Sequence, residues 1–399
     1  MAESSEVGIV GGGPVGLLTA LLLAEAGIEV ALFEAAASPP RDLRATSFHP
    51  PTLDMLADIG LAEGLIARGL VCPSWQIRIH PTGERAVFEV ATIAAETRHP
   101  FRLQCEQWHL AELLLGRLRG LPNVAIRQDA AVTGFSDLGE SVRVSVASAG
   151  GESTHVCRLL VGADGLGSVV RRGLGLPFHG ETLPETTLVV VTPFRFEDHI
   201  EDLSHVTSAF VPGSHVAMLH LPGVWRLALY PREDLPLEAQ LTDEAVEAVL
   251  QGLVARAGRF EVSAKWPYRV QQRIAPSYRT GRVAIAGDAA HVNSPAGGMG
   301  LNAGIHDAFA LAAALRDILR HDAPLARLDL YDRQRRPIVA EHILGQAAGN
   351  RDRMRERDPA RRRAILQDLQ AIAADRDRHR DFVRRASMID GLRRAAAIS

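Results

Sequence analysis

From residue 7 to residue 34 the chain reads VGIVGGGPVGLLTALLLAEAGIEVALFE, a stretch that few folds accommodate. An apolar strand over Val7–Val10 runs into Gly11-Gly12-Gly13-Pro14-Val15-Gly16. A helix rich in Ala and Leu follows over Leu17–Ala26 and Gly27 ends it. A second strand, Glu29–Phe33, finishes at Glu34. Glycines 11, 13 and 16 have the spacing G-x-G-x-x-G inside a strand–turn–helix–strand unit. Gly11 permits the tight turn, Gly13 lets backbone approach a pyrophosphate, and Gly16 lets helix and strand pack closely. The free N–H groups and partial positive charge of the helix N-terminus suit a phosphate. Glu34 stands where a carboxylate accepts hydrogen bonds from a ribose diol. This predicts a dinucleotide site that includes Pro14, Val15 and Ala35, and leaves FAD or NAD open.

Two later segments repeat the pattern of a strand ending in an Asp–Gly or Gly–Asp pair. Residues 161–172 read VGADGLGSVVRR, with Asp164 and Ser168 before a helix-like run. Taken alone, that segment is read as a strand-to-helix turn capped by Asp164 or Ser168. Residues 287–302 read GDAAHVNSPAGGMGLN and follow a short apolar strand, Val283–Ala286. Glycine is used where backbone must come close to something or adopt positive φ, so Gly297, Gly298 and Gly300 predict a close neighbour. From Leu301 and Asn302 a helix is predicted, with Ile305, Phe309, Ala312 and Leu315 on its apolar face. His291 reads as a structural residue beside the turn.

The three segments, in this order, resemble those of the group A flavoprotein monooxygenases, the p-hydroxybenzoate hydroxylase family, over about residues 5–345. The resemblance implies an α/β fold with a Rossmann-like, glutathione-reductase-type FAD-binding domain, an inserted β-sheet substrate domain and a C-terminal helical segment. The implied FAD domain takes residues 1–72, 100–180 and 275–345, the substrate domain 73–99 and 181–274, and the helical segment 346–399. The first segment is then expected to hold the ADP half of FAD. Asp164 is expected to touch the FAD and nicotinamide regions, and Asp288 to hold the ribityl chain. Arg44 matches a family arginine near the pyrophosphate and the incoming nicotinamide nucleotide. Gln104 matches a glutamine at the ribityl or phosphate region, and Val132 a backbone position beside the adenine. Pro295 matches a proline whose carbonyl lies near the flavin's reactive edge. Gly298, Met299 and Gly300 bring backbone to the isoalloxazine ring, and the helix starting at Leu301 and Asn302 points its N-terminus at the N1–C2=O edge.

Family resemblance further implies non-covalent FAD, reduced by NADH or NADPH as a transient donor. O₂ then forms a flavin C4a-hydroperoxide that hydroxylates an aromatic, phenolic or related conjugated-ring small molecule. No second G-x-G-x-x-G offers a separate nicotinamide domain. A reductase or dehydrogenase of the geranylgeranyl-reductase type, and a redox-idle flavin-binding regulator, are the alternatives. A flavin halogenase needs a W-x-W-x-I-P signature and a tunnel lysine, whereas the one lysine here, Lys265, lies late in A-K-W-P-Y.

Composition narrows the partners. A net charge of -3 gives no general attraction for nucleic acid or an anionic membrane. The three scattered cysteines form no CxxC, so neither a disulfide framework nor a metal site is read, and a cytoplasmic setting is expected. The start has no signal-peptide pattern, and no apolar run reaches about 20 residues. A monomer or homodimer is expected.

Within the expected insert, His215–Leu221 and Val224–Tyr230 flank Pro222-Gly223, a two-residue hairpin. If Leu221 pairs with Val224, alternation puts Met218, His220, Trp225, Leu227 and Leu229 on one face, against a helix expected over Thr242–Ala257. The other face holds His215, Ala217, Leu219, Arg226, Ala228 and Tyr230. Its polar groups and small alanines make His215, Arg226 and Tyr230 substrate-pocket candidates. Arg351–Arg380, dense in Arg and Asp, reads as a solvated helix docked by Ile365, Leu369 and Ile372.

Overall fold

The computed structural model describes residues 3–399 apart from 39–40, 42–44, 81 and 232–234. Strand Glu3–Val10 lies at the centre of the first sheet, parallel to Val30–Phe33 on one side and to Gly151–Gly162 on the other. Val124–Arg127 and Val283–Ile285 extend the parallel run at its two ends. Parallel strands are buried on both faces and read as continuous apolar runs, which is how VALF at 30–33 is buried throughout. Helix Pro14–Glu25 starts earlier than expected, because Pro14 is acceptable at a first helical position. It packs against helices Gln107–Leu118 and Gly300–Arg320.

The second sheet has eight strands. In spatial order they are His291–Val292, Ala264–Ile274, His179–Thr192, Val224–Tyr230, Ser214–Leu221, Val206–Val211, Ser74–Ile79 and Arg85–Glu89. Leu221 does pair with Val224, across a Pro222-Gly223 turn in which Gly223 has φ +79°. Met218, Trp225, Leu227 and Leu229 are buried with Val246, Leu250 and Leu253 of a helix. That helix spans Asp243–Leu253, shorter than expected, because Val254 turns to an extended conformation.

The C-terminal segment is not one solvated helix. Helix Arg327–Ile338 contains Pro337, which lacks an N–H and opens the helix into a π segment, Val339–Leu344, before Gly345–Arg355. Asp358 then caps Pro359–Ala374, and Asp375 caps Arg376–Ala386. Leu366, Leu369 and Val383 pack on Ile77 and Phe88 of the second sheet. No helix among the described residues is long and apolar enough to cross a membrane.

Candidate active site

Two cavities, of about 700 and about 430 Å³, share Ser47, Leu219, Arg226, Pro295 and Gly298 as common wall. The larger runs from the N-terminal glycine turn to the 295–301 loop. Gly11, Gly12, Gly13, Pro14, Val15, Glu34, Ala35, Val132 and Asp164 line one part, and Asp288, Pro295, Gly298, Met299, Gly300 and Leu301 another.

The glycines of the first turn have different tasks. At Gly11, with φ +105°, a Cβ would sit 2.3 Å from the Ala163 carbonyl oxygen. At Gly16 it would sit 2.0 Å from the Gly11 oxygen, so Gly16 lies behind the wall as a packing residue. At Gly13 a Cβ meets no protein atom within 4 Å and would enter the cavity. Gly13 is also the N-cap of the first helix, with no side-chain cap. Glu34 accepts the Gly12 N–H at 2.6 Å and the Ala36 N–H at 2.8 Å, which holds its carboxylate beside the turn. Val15 fills the gap between Gly287 and Gly304, where Cβ atoms would lie 2.9 and 2.7 Å from its Cγ2. That contact brings the first and third segments together.

Asp164 lines the cavity, yet its carboxylate accepts the Ser168 hydroxyl at 2.5 Å and the Val169 N–H at 2.7 Å. Its side chain is engaged in capping the turn into the following helix. Three expected cofactor residues are off the wall. Gln104 is fully buried and donates to the Ser47 hydroxyl at 2.9 Å. Asn302, also fully buried, donates to the carbonyls of Ser47 at 2.9 Å and Gly298 at 2.8 Å, and accepts the His49 N–H at 2.9 Å. Gly16 is the third. Each is enclosed because it holds together the loops that form the wall. Arg44 lies outside the described residues.

The 287–302 loop is fixed from behind. Asp307 accepts the Gly287 N–H at 3.1 Å, meets His291 at 2.7 Å and accepts Arg335 Nε at 2.7 Å, all buried. Burial alone would raise the Asp307 carboxyl, but His291 and Arg335 outweigh it and hold it down to about 2. Gly298 donates to the Pro295 carbonyl at 2.9 Å, with Gly297 and Gly298 at φ +107° and +68°. Helix Gly300–Arg320 then begins with no side-chain cap.

The smaller cavity is lined by the hairpin face that carries Ala217, Leu219, Arg226, Ala228 and Tyr230. Arg226 is 6% exposed, belongs to both cavities, and its Nε has no hydrogen-bond partner. Burial holds its guanidinium below the ordinary range, opposed by Tyr268 and Tyr230 beside it. His215, the remaining candidate, is not on the wall. It lies behind Ser208, at 3.2 Å, and against the Tyr230 ring, and burial pushes it down to about 3.

Much of the remaining wall was not anticipated from the sequence. Tyr268 and Trp75, from other strands of the same sheet, and Asn350, Arg353, Phe382 and Arg385, from the C-terminal helices, line the smaller cavity. Their one signal was Asn350 and Arg353, at i and i+3 on a polar helix face. Lys265 is tied to Asp243 and to the Leu241 carbonyl, and lines neither cavity. Contrary to the sequence expectation, Cys105, Glu106 and His109 come within ligand distance of one another. Burial, with Glu106 beside it, pushes the Cys105 thiol up to about 12.

These features fit FAD. Two uncapped helix N-termini, a carboxylate held beside the first of them and, at Gly13, a position where a Cβ would enter the cavity are features that suit a flavin dinucleotide.

Comparison with known proteins agrees. The family described as "FAD binding domain" matches residues 4–345. The 6-hydroxy-3-succinoylpyridine 3-monooxygenase of Pseudomonas putida is 33% identical over 96% of this chain and 98% of its own. The para-nitrophenol 4-monooxygenase of a Pseudomonas species is 34% identical over 96% of each. The crystal structure of p-nitrophenol 4-monooxygenase from Pseudomonas putida superposes with a TM-score of 0.90 at 31% identity, covering 98% of both chains.

Proposed function

The chain belongs to the group A flavoprotein monooxygenases, FAD-dependent enzymes that hydroxylate aromatic small molecules, and we propose that its substrate is a single-ring hydroxyarene oxygenated at the carbon para to its hydroxyl. The observation that carries this is the shared wall at Ser47, Leu219, Arg226, Pro295 and Gly298, through which a ring in the smaller cavity meets the cofactor in the larger. A volume of about 430 Å³ lies within the range of small-molecule sites. Both relatives are named for oxygenation at a substituted ring carbon, position 4 of para-nitrophenol and position 3 of the 6-hydroxypyridine.

When bound, FAD supplies two-electron reduction by NADH or NADPH and the activation of O₂. The residues of this chain supply position and electrostatics. Gly13 and the uncapped N–H groups after it would receive the pyrophosphate, Glu34 the ribose, and Asp288 the ribityl chain. The helix N-terminus at Gly300 would favour negative charge on the bound ring. A free phenol has a pKa near 10, and Arg226 lowers the cost of ionising it, which makes the ring more electron-rich. Leu219, Ala217, Ala228 and Ile343 keep water from the reacting atoms. The second sheet and the helices behind it serve as the substrate domain, and the first sheet as the cofactor domain.

The test is turnover of a phenol panel by the FAD-loaded protein with NADH or NADPH, following O₂ uptake and product mass. Phenols with hydrogen at the para carbon are expected to give a product heavier by one oxygen atom, and 4-nitrophenol to give benzoquinone with release of nitrite. Formation of 4-nitrocatechol with the nitro group retained would place oxygen ortho instead. Substrate reduction without O₂ uptake would make the enzyme a reductase.

A further inference from the structure

Strand Arg102–Gln104 ends one residue before Cys105, and helix Gln107–Leu118 begins two residues after it. The turn between them is pinned from outside. The Cys105 N–H donates to the Thr46 carbonyl at 2.7 Å and the Gln107 N–H to the Ala45 carbonyl at 3.0 Å. This turn sets three kinds of metal ligand side by side. The Cys105 sulfur, the Glu106 carboxylate and the His109 imidazole each offer an atom within 4.8 Å of the other two.

None of the three is strongly engaged among the described residues. The Cys105 thiol meets the Glu106 carbonyl at 3.9 Å. Glu106 stands at the N-cap of the helix, yet its side chain caps no N–H. Its carboxylate stays 3.7 Å from His109 Nε2, beyond hydrogen-bond range. His109 Nδ1 is buried without a partner. The two arginines that face the turn are occupied, Arg41 by Glu112 and Arg68 by the Gly64 carbonyl. A buried carboxylate is ordinarily paired, so the turn has an unmet demand for a cation.

Sulfur, imidazole nitrogen and carboxylate oxygen together suit zinc, whereas calcium and magnesium take oxygen ligands. Tetrahedral zinc spaces its ligands about 3.3–3.8 Å apart, and Glu106 and His109 already stand at 3.7 Å. Both side chains are partly exposed, 16% and 17%, which gives an ion a way in and lets them rotate towards the sulfur behind them.

We propose that Cys105, Glu106 and His109 bind one zinc-type divalent cation, with water in the fourth position. The three lie outside both cavities, but the site adjoins the larger one. The Trp108 ring is 3.6 Å from the His109 ring and lines that cavity with Ala45, Thr46 and Gln107. A bound cation therefore ties down the helix turn that walls the cofactor.

Metal binding to the FAD-loaded protein, after chelator treatment and without substrate, tests it. Calorimetric titration with Zn²⁺ should show about one equivalent bound, with about one proton released from the thiol, read from the dependence of the heat on buffer. Co²⁺ in its place should give the intense visible bands of a tetrahedral ion and a sulfur-to-cobalt charge-transfer band. His109→Asn and Glu106→Gln should each weaken Zn²⁺ binding by about tenfold or more, and Cys105→Ser should abolish the charge-transfer band. Should Cys105→Ser fail to fold, the cobalt spectrum of the wild type carries the sulfur assignment. The site is overturned if Zn²⁺ does not bind, if Co²⁺ gives no sulfur band, or if His109→Asn and Glu106→Gln both leave the affinity unchanged, which would put the metal elsewhere.

Discussion

Asn302 accepts the backbone N–H of His49 at 2.9 Å, a bond that joins positions 253 residues apart. The same amide donates to Ser47 and Gly298, two residues of the wall between the cavities. His49 completes the clamp through its ring, 3.0 Å from the Gly297 carbonyl. One buried side chain thus fixes the turn that both ligands must approach, without touching either cavity.

Asn302→Ala strips a partner from one buried and two part-buried backbone groups. A loss of about 2 kcal/mol or more is expected, read as a lower denaturant midpoint. FAD affinity, measured by flavin fluorescence, should fall with it. Unchanged affinity at reduced stability would confine the clamp to folding.

Gly13→Ala and Gly16→Ala should separate cofactor binding from folding. The alanine at 13 has φ -73° available and no protein neighbour, so thermal stability of the apoprotein should hold while FAD affinity drops by about tenfold or more. At 16 the methyl group would collide with the Gly11 carbonyl, and folding itself should suffer. Equal effects of the two on apoprotein stability would contradict this division.

Asp307→Asn leaves Arg335 as an uncompensated buried charge and weakens the hold on Gly287 and His291. Breaking one partner of a buried pair costs about 3–5 kcal/mol, so a large fall in unfolding free energy is expected by denaturant titration. The carboxyl, held at about 2 in the folded protein, ionises near its ordinary value of 3.8 when unfolded. Its contribution is therefore present above the unfolded value and is lost as pH falls from there to about 2.

Two buried histidines add a second acid-sensitive window. His215 and His306 are pushed down to about 3, mainly by burial, from the ordinary imidazole value of 6.5. The unfolded chain binds their protons first, so each weakens folding as pH falls from 6.5 towards 3 and neither acts above 6.5. Stability measured against pH should decline below 6.5, and His306→Gln, which keeps a polar partner for Thr52, should shallow that slope.

Arg226→Leu should lower kcat/KM by about tenfold or more, since a charge-assisted contact is removed at the shared wall. Peroxide formation at the expense of product is the expected signature, read by comparing NADH or NADPH consumed with product formed. Full coupling in the variant would remove Arg226 from the reacting region.

The hairpin shows what the sequence conveyed. Alternation about Pro222-Gly223 gave the right register, and with it the separation of Trp225 and Leu227 from Arg226 and Tyr230. His215 obeyed the same alternation but is covered, because Ser208 and Tyr230 from neighbouring strands close over it. Alternation gives a face, and burial depends on what stands on that face. Gln104 and Asn302 matched family positions by residue type, yet their amides are turned into the loop scaffold.

By itself the sequence determined the strand–turn–helix–strand unit and the three glycine segments, while the choice of FAD came from the resemblance of those segments to a family. Those features are local, since positive φ and the absence of a Cβ are demanded by neighbours a few residues away. Only the tertiary structure decided how the polar C-terminal residues are used. Pro337 and the caps at Asp358 and Asp375 break that segment into pieces that fold back on the second sheet. This turns Asn350, Arg353 and Phe382 towards the cavity. An arginine in a charged run reads as solvated until a long-range contact removes the water, and no local pattern encodes that contact.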